Sequence, residues 1–283
     1  EADEERRRKE RSISEKKATA LQLQAARFGA KASKASSAKQ MLARADKMLS
    51  GLEEVRSVDR VAKLRFPEPA PCGKTPLFAH NLSKSYGSLE IFTAVDLAID
   101  KGSKVVIVGL NGAGKTTLLR ILAGVDKPDT GEVESGHGLR IGYYAQEHET
   151  LDIKRSVLEN MLSSSPSIGE TEARNVLGSF LFSGDDVHKP AGVLSGGEKT
   201  RLSLATLVVS KANVLLLDEP TNNLDPASRE EILDALAHYA GAVVLVSHDD
   251  GAVMALNPER VVIMPDGVED HWSEEYQELI ALA

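Results

Sequence analysis

Cysteine is nearly missing from this chain: Cys72 is the only one in 283 residues. No internal disulfide can form, so stability must come from a packed core, and a reducing, cytoplasmic setting is expected. No apolar run approaches the roughly 18–20 residues that cross a bilayer, so no membrane insertion is expected. Proline is absent from residues 1–64, which leaves a long helix unopposed there. Aromatic residues are scarce in the same region. Over residues 1–66 only Phe28 and Phe66 are aromatic, so base stacking is not expected to dominate any nucleic-acid contact there. No secretory leader pattern occurs at the start. The chain opens at Glu1 inside a charged tract and reads as a portion of a longer polypeptide.

Positive charge is also short over most of the length. The net charge is −8, yet residues 1–66 hold 17 Lys/Arg against 10 Asp/Glu, and the remainder holds 17 against 32. Between residues 11 and 47 the contrast is 9 basic to 2 acidic. An acidic body with a basic arm meets a polyanion through the arm. Residues 1–64 are rich in Ala, Lys, Arg, Gln and Glu, all strong helix formers. Leu21, Phe28, Ala35, Leu42 and Leu49 recur every seven residues, and Ala38, Ala45 and Leu52 follow the last three of these by three. That narrow seam suits a long helix packed on one partner helix; a plain helical extension with a solvated face is the other reading. Gly51 offers a break before a second, shorter helix over Leu52–Ala62.

Pro67, Pro69, Pro71 and Pro76 end helix and mark a boundary. Three units follow from this: a basic helical arm over 1–66, a proline-rich connector over 67–76 and a catalytic-type domain over 77–283. Within that domain Leu77–Ala79 and Ile91–Ile99 have strand character, and residues 156–182 read as helical. Lys104–Val108, Val214–Leu217 and Val243–Val246 are apolar runs of the kind found in buried parallel strands.

Gly109–Thr116 fits G-x-x-x-x-G-K-T, with a strand before it and a helix over Thr116–Ala123 after it, closed by Gly124. The glycines let backbone N–H groups point inward around phosphates, and the helix N-terminus adds a favourable dipole. Lys115 reaches the β- and γ-phosphates, and Thr116 offers its hydroxyl to magnesium. Asp218 ends the run Val214–Leu217, at the carboxyl end of its strand, and is the second magnesium candidate. Glu219 follows as the candidate general base that polarises water.

The ordered set is completed by Leu194-Ser195-Gly196-Gly197-Glu198. Together these motifs resemble an ATP-binding cassette ATPase over residues 77–283. The resemblance implies an α/β P-loop fold with a parallel sheet core, an antiparallel β-subdomain and a helical subdomain. It implies ATP and Mg²⁺ as ligands. Gly109, Asn111, Gly112, Gly114, Lys115, Thr116 and Thr117 would hold ATP, with Tyr86 stacked on adenine. Gln146 would sense magnesium and the γ-phosphate, and His248 would contact the γ-phosphate. Ser195, Gly196 and Gly197 would bind the γ-phosphate of a second cassette, with Asp225 on the seam between the two.

The basic helical tract joined to the cassette through Lys63-Leu64-Arg65-Phe66-Pro67 is similar to the linker of the ABC-F family, in which a helical hairpin joins two cassettes. That resemblance implies a ribosome-associated translation factor, whose arm moves against tRNA and rRNA. Arg27, Lys31, Lys34, Lys39 and Arg44 are the candidate phosphate contacts. A transporter ATPase subunit that docks through residues 147–193, and a nucleic-acid or repair ATPase with a coiled-coil arm, are the alternatives. Asp249-Asp250-Gly251-Ala252 departs from the family, where Asp-Arg and an aromatic pair are common.

Overall fold

In the computed structural model, residues 65–145, 150–165, 168–222 and 224–281 are described. The first strands, β1 (Leu77–Tyr86) and β2 (Leu89–Ile99), form an antiparallel hairpin that turns at Gly87, whose φ is +63°. A further strand, β4 (Thr130–Ser135), pairs antiparallel on the other side of β1 to complete a three-stranded sheet.

The second sheet has six strands in the order β5-β6-β7-β3-β8-β9. They are β3 (Lys104–Val108), β5 (Ile141–Tyr144), β6 (Val214–Asp218), β7 (Ala242–Val246), β8 (Arg260–Ile263) and β9 (Val268–His271). All pair in parallel except β9, which runs antiparallel to β8 at the edge. Every residue of β6 and β7 is buried, as a strand covered on both faces requires. Alternate side chains leave opposite faces. Val105, Ile107, Leu216 and Val244 join the helix α1 (Lys115–Leu122) and the three-stranded sheet in one core. Val106, Val108, Leu215, Leu217 and Leu245 join the helical layer in the other.

That layer is built from α2 (Val157–Ser164), α3 (Glu170–Ser179) and α4 (Gly196–Ser210). The sequence reading of 156–182 as helical resolves into two helices. The first ends at Ser164, ahead of Pro166, whose ring and missing N–H oppose continuation. Both α2 and α4 begin with capping boxes, Ser156 with Glu159 and Ser195 with Glu198, in which each side chain satisfies the other residue's free backbone N–H. Among the described residues three further α-helices follow: α5 (Pro226–Ala237), α6 (Asp250–Leu256) and α7 (Gln277–Ala281).

The described part of the N-terminal approach is tied to this body. The Phe66 ring lies 5.3 Å from that of Tyr239, and the Ala70 amide donates to the Lys211 carbonyl at 3.2 Å. Asn213, only 1% exposed, donates through Nδ2 to the carbonyls of Ala70 (3.2 Å) and Gly138 (2.8 Å). Its Oδ1 accepts from the Arg140 amide at 2.8 Å.

Candidate nucleotide site

Strands β6, β7 and β3 lie side by side, and their carboxyl ends open on one cleft of about 580 Å³. Ligands in doubly wound sheets bind outside these ends, where loops diverge. Asn111, Gly112, Gly114, Lys115, Thr116, Thr117, Asp218, Glu219 and His248 line it, so nine of the residues singled out from the sequence converge, while Gly109 shapes the loop without lining the cleft.

The phosphate side is a backbone construction. Gly109, Gly112 and Gly114 have φ of 150°, 86° and 90°, a conformation that costs residues with a Cβ. A Cβ on Gly109 would sit 2.6 Å from the Met264 carbonyl oxygen. The first turn of α1 carries no acidic side chain, so the positive end of its dipole is left for an anion. Lys115 Nζ donates to the Gly109 carbonyl at 2.7 Å and to Leu110 at 3.3 Å, which folds the side chain back over the loop. Burial lowers its pKa, and the nearby carboxylates of Glu219 and Asp218 work against that shift.

The carboxylate side is buried. Asp218 has its pKa pushed up to about 6, chiefly by desolvation, while a hydrogen bond from Thr116 pulls the other way. Its Oδ2 is buried with no hydrogen-bond partner, an atom that a hard cation satisfies. The residues therefore fit magnesium: one orphaned carboxylate oxygen and one hydroxyl beside a phosphate loop. Among the described residues no group of three or more His, Cys, Asp or Glu forms a metal cage. Magnesium does not demand one, since it keeps waters and shares substrate phosphates.

Glu219, 8% exposed, is held on all sides. Its backbone sits in the left-handed region at φ +53°, with its amide donating to the Val246 carbonyl at 2.9 Å. Oε1 accepts from the His248 amide at 3.0 Å and lies 2.9 Å from His248 Nδ1. Oε2 accepts from the Ser247 hydroxyl at 3.3 Å. A carboxylate and an imidazole are thus held together at the cleft.

Other residues lie apart. Tyr86, at the end of β1, is 52% exposed and does not line the cleft; Lys84 Nζ is 5.4 Å from its ring centre. Ser195, Gly196 and Gly197 start α4, and Asp225 caps α5 by accepting from the Ser228 amide. None of the four lines the cleft. Gln146, and the arm residues Arg27, Lys31, Lys34, Lys39 and Arg44, fall outside the described residues. Ile91, Ala113 and Val246 line the cleft without having been singled out. Ile91 lies in β2 of the hairpin that carries Tyr86, and as one aliphatic strand residue among several it had no signal of its own.

A twisted parallel sheet with a glycine loop after β3, an acidic pair after β6, a histidine after β7 and a serine-glycine turn on a separate helical layer defines an ATP-binding cassette, an ATP-hydrolysing class. The family model described as ABC transporter matches residues 92–222. A probable ATP-binding protein YbiT of Escherichia coli O157:H7 is 38% identical over 90% of this chain and 50% of its own length. ABC transporter F family member 5 of Arabidopsis thaliana is 33% identical over 82% of this chain and 34% of its own. The solved dimer of the ATP-binding cassette MJ0796, in a post-hydrolysis state with ADP and Pi, superposes with a TM-score of 0.57 at 25% identity. It covers 69% of this chain and 98% of that one. The chain belongs to the ABC-F family of ATP-binding cassette proteins. It spans between about a third and a half of the length of these curated relatives.

Proposed function

We propose that this chain is the ATP-hydrolysing cassette of a cytoplasmic, ribosome-associated translation factor. Its basic N-terminal tract would be the lever that ATP-driven closure moves against tRNA and rRNA. The observation that carries the reading is the charge division: residues 1–66 hold 17 basic and 10 acidic residues, fused to an acidic cassette. The family's soluble, arm-bearing organisation supports the same reading, as does the dimeric state of the MJ0796 cassette.

In this mechanism the loop Gly109–Thr117 and the α1 N-terminus bind the triphosphate, with Tyr86 and Ile91 flanking the base. Thr116, Asp218 and Gln146 would hold magnesium, which supplies charge neutralisation at the phosphates. Ser195, Gly196, Gly197 and Asp225 close over the ATP of a second cassette, which explains why they stand outside the cleft. Glu219 accepts a proton from the attacking water, and His248 stays beside it at the γ-phosphate. Closure shields the phosphates and the attacking water from bulk solvent, so hydrolysis depends on closure, whereas closure does not need hydrolysis.

Pelleting the protein with ribosomes through a cushion tests the proposal. ATP should raise the bound fraction, and the charge-neutral variants of Lys31, Lys34 and Lys39 should lower it while nucleotide binding is kept. Each lost phosphate contact should also flatten the log–log salt slope by about 0.7–0.9. No co-sedimentation at low salt, or co-purification with a membrane-embedded partner instead, would overturn it.

A further inference from the structure

The carboxylate of Asp249, next to His248, ties together three segments that the hydrolytic pair depends on. Arg229, from the first turns of α5, donates to it through Nε at 2.8 Å and Nη2 at 2.5 Å. Thr221, two residues beyond Glu219 and itself buried, donates its hydroxyl at 3.1 Å. The Gly251 amide donates at 2.9 Å and so caps α6. A two-pronged guanidinium–carboxylate bond fixes orientation as well as distance.

Gly251 is what leaves room for this fork. A Cβ there would lie 2.8 Å from Arg229 Nη2 and 3.1 Å from Asp249 Oδ1. The position that departs from the family's usual aromatic pair is therefore occupied by a neighbour's guanidinium. Burial pushes the Asp249 carboxyl upward, and the bonds from Arg229 and Thr221 bring it below the ordinary range, so it stays charged.

We infer that Arg229 and Asp249 form a positioning clamp for ATP hydrolysis. It holds the loop that bears His248 in register with Glu219 and links that register to α5, whose first turn Asp225 caps. Neither residue lines the cleft, so each acts through His248 and Glu219. The inference rests on reading those two as the hydrolytic pair and is independent of any ribosome.

The test uses four variants of the whole chain: Arg229→Ala, Gly251→Ala, the double of these two, and Arg229→Lys. Arg229→Ala removes the fork, whereas Gly251→Ala displaces it with the charge intact. Each single substitution should lower kcat roughly 10- to 100-fold with KM little changed, as expected when geometry rather than binding is lost. The double should be no slower than Arg229→Ala alone, because the methyl group acts only through the guanidinium. Arg229→Lys should recover part of the rate. The His248 ring resonances, followed by NMR without nucleotide, should move in both single variants. Unchanged kcat, losses that multiply in the double, a KM rise that matches the fall in kcat, or unmoved His248 resonances would overturn the clamp. If the unaltered protein does not turn over ATP, the hydrolytic reading fails, while the His248 resonances still decide the clamp.

Discussion

Glu219→Gln is the substitution whose outcome the geometry specifies most closely. The amide has the shape of the carboxylate, so its oxygen can keep the bond from the His248 amide, 3.0 Å in the native site. The Ser247 hydroxyl, which donates to Oε2 at 3.3 Å, can rotate to accept from the new NH₂. What disappears is the capacity to take a proton. Losing a general base lowers rates by roughly 10²–10⁴, or about 2.7–5.4 kcal/mol in the barrier at 1.36 kcal/mol per decade. Binding should move the other way. Glu219 is one of the charges that push Asp218 up, so its neutralisation removes repulsion from a cleft that must admit a triphosphate. The expected signature is slow phosphate release with ATP bound at least as tightly, and an ATP-dependent rise in mass by light scattering as two cassettes stay closed. A kcat within about threefold of the native value, or loss of ATP binding, would falsify the assignment of Glu219 as base.

Two further outcomes concern the scaffold. Asn213→Ala deletes a hub whose three bonds go to the backbone of Ala70, Gly138 and Arg140. At about 1 kcal/mol each, with groups left buried and unpaired, the loss should be roughly 2–4 kcal/mol in urea unfolding; a change below about 1 kcal/mol would refute the hub role. Gly112→Ala and Gly114→Ala separate conformation from crowding. Both positions have positive φ, but a Cβ on Gly112 meets nothing within 4 Å, whereas on Gly114 it would sit beside the Ile91 side chain. Gly112→Ala should cost about 1–2 kcal/mol from the backbone alone. Gly114→Ala should lower Tm further and weaken nucleotide binding as Ile91 is pushed into the cleft. Equal effects would show that the contact does not matter.

The centre of this molecule could be read from its residues because it is built from short apolar runs punctuated by glycine. Lys104–Val108, Val214–Leu217 and Val243–Val246 are strands almost to the residue, and their carboxyl ends brought Lys115, Asp218, Glu219 and His248 together. The periphery was harder. Strand β9 is exposed at every residue and β4 at all but Val133, so neither carries the alternation that betrays a half-buried strand. Ile91 was missed because an aliphatic wall residue looks like any strand residue until the hairpin folds over the glycine loop. Asp249 was read only as a departure from a family pattern. Its four donors come from segments up to 28 positions away, which no local signal connects. Tyr86 carries its expectation on position alone, since it is not among the residues that line the cleft.

The left-handed backbone of Glu219 sets evolution and engineering against each other at a single position. An L-residue with a long side chain loses roughly 1–2 kcal/mol in that conformation, and glycine or asparagine would lose less. Selection for heat tolerance alone would favour discarding the group proposed to accept the water's proton. A thermostabilised library of this cassette should therefore be screened for turnover at every round, because its sturdiest members would include silent ones.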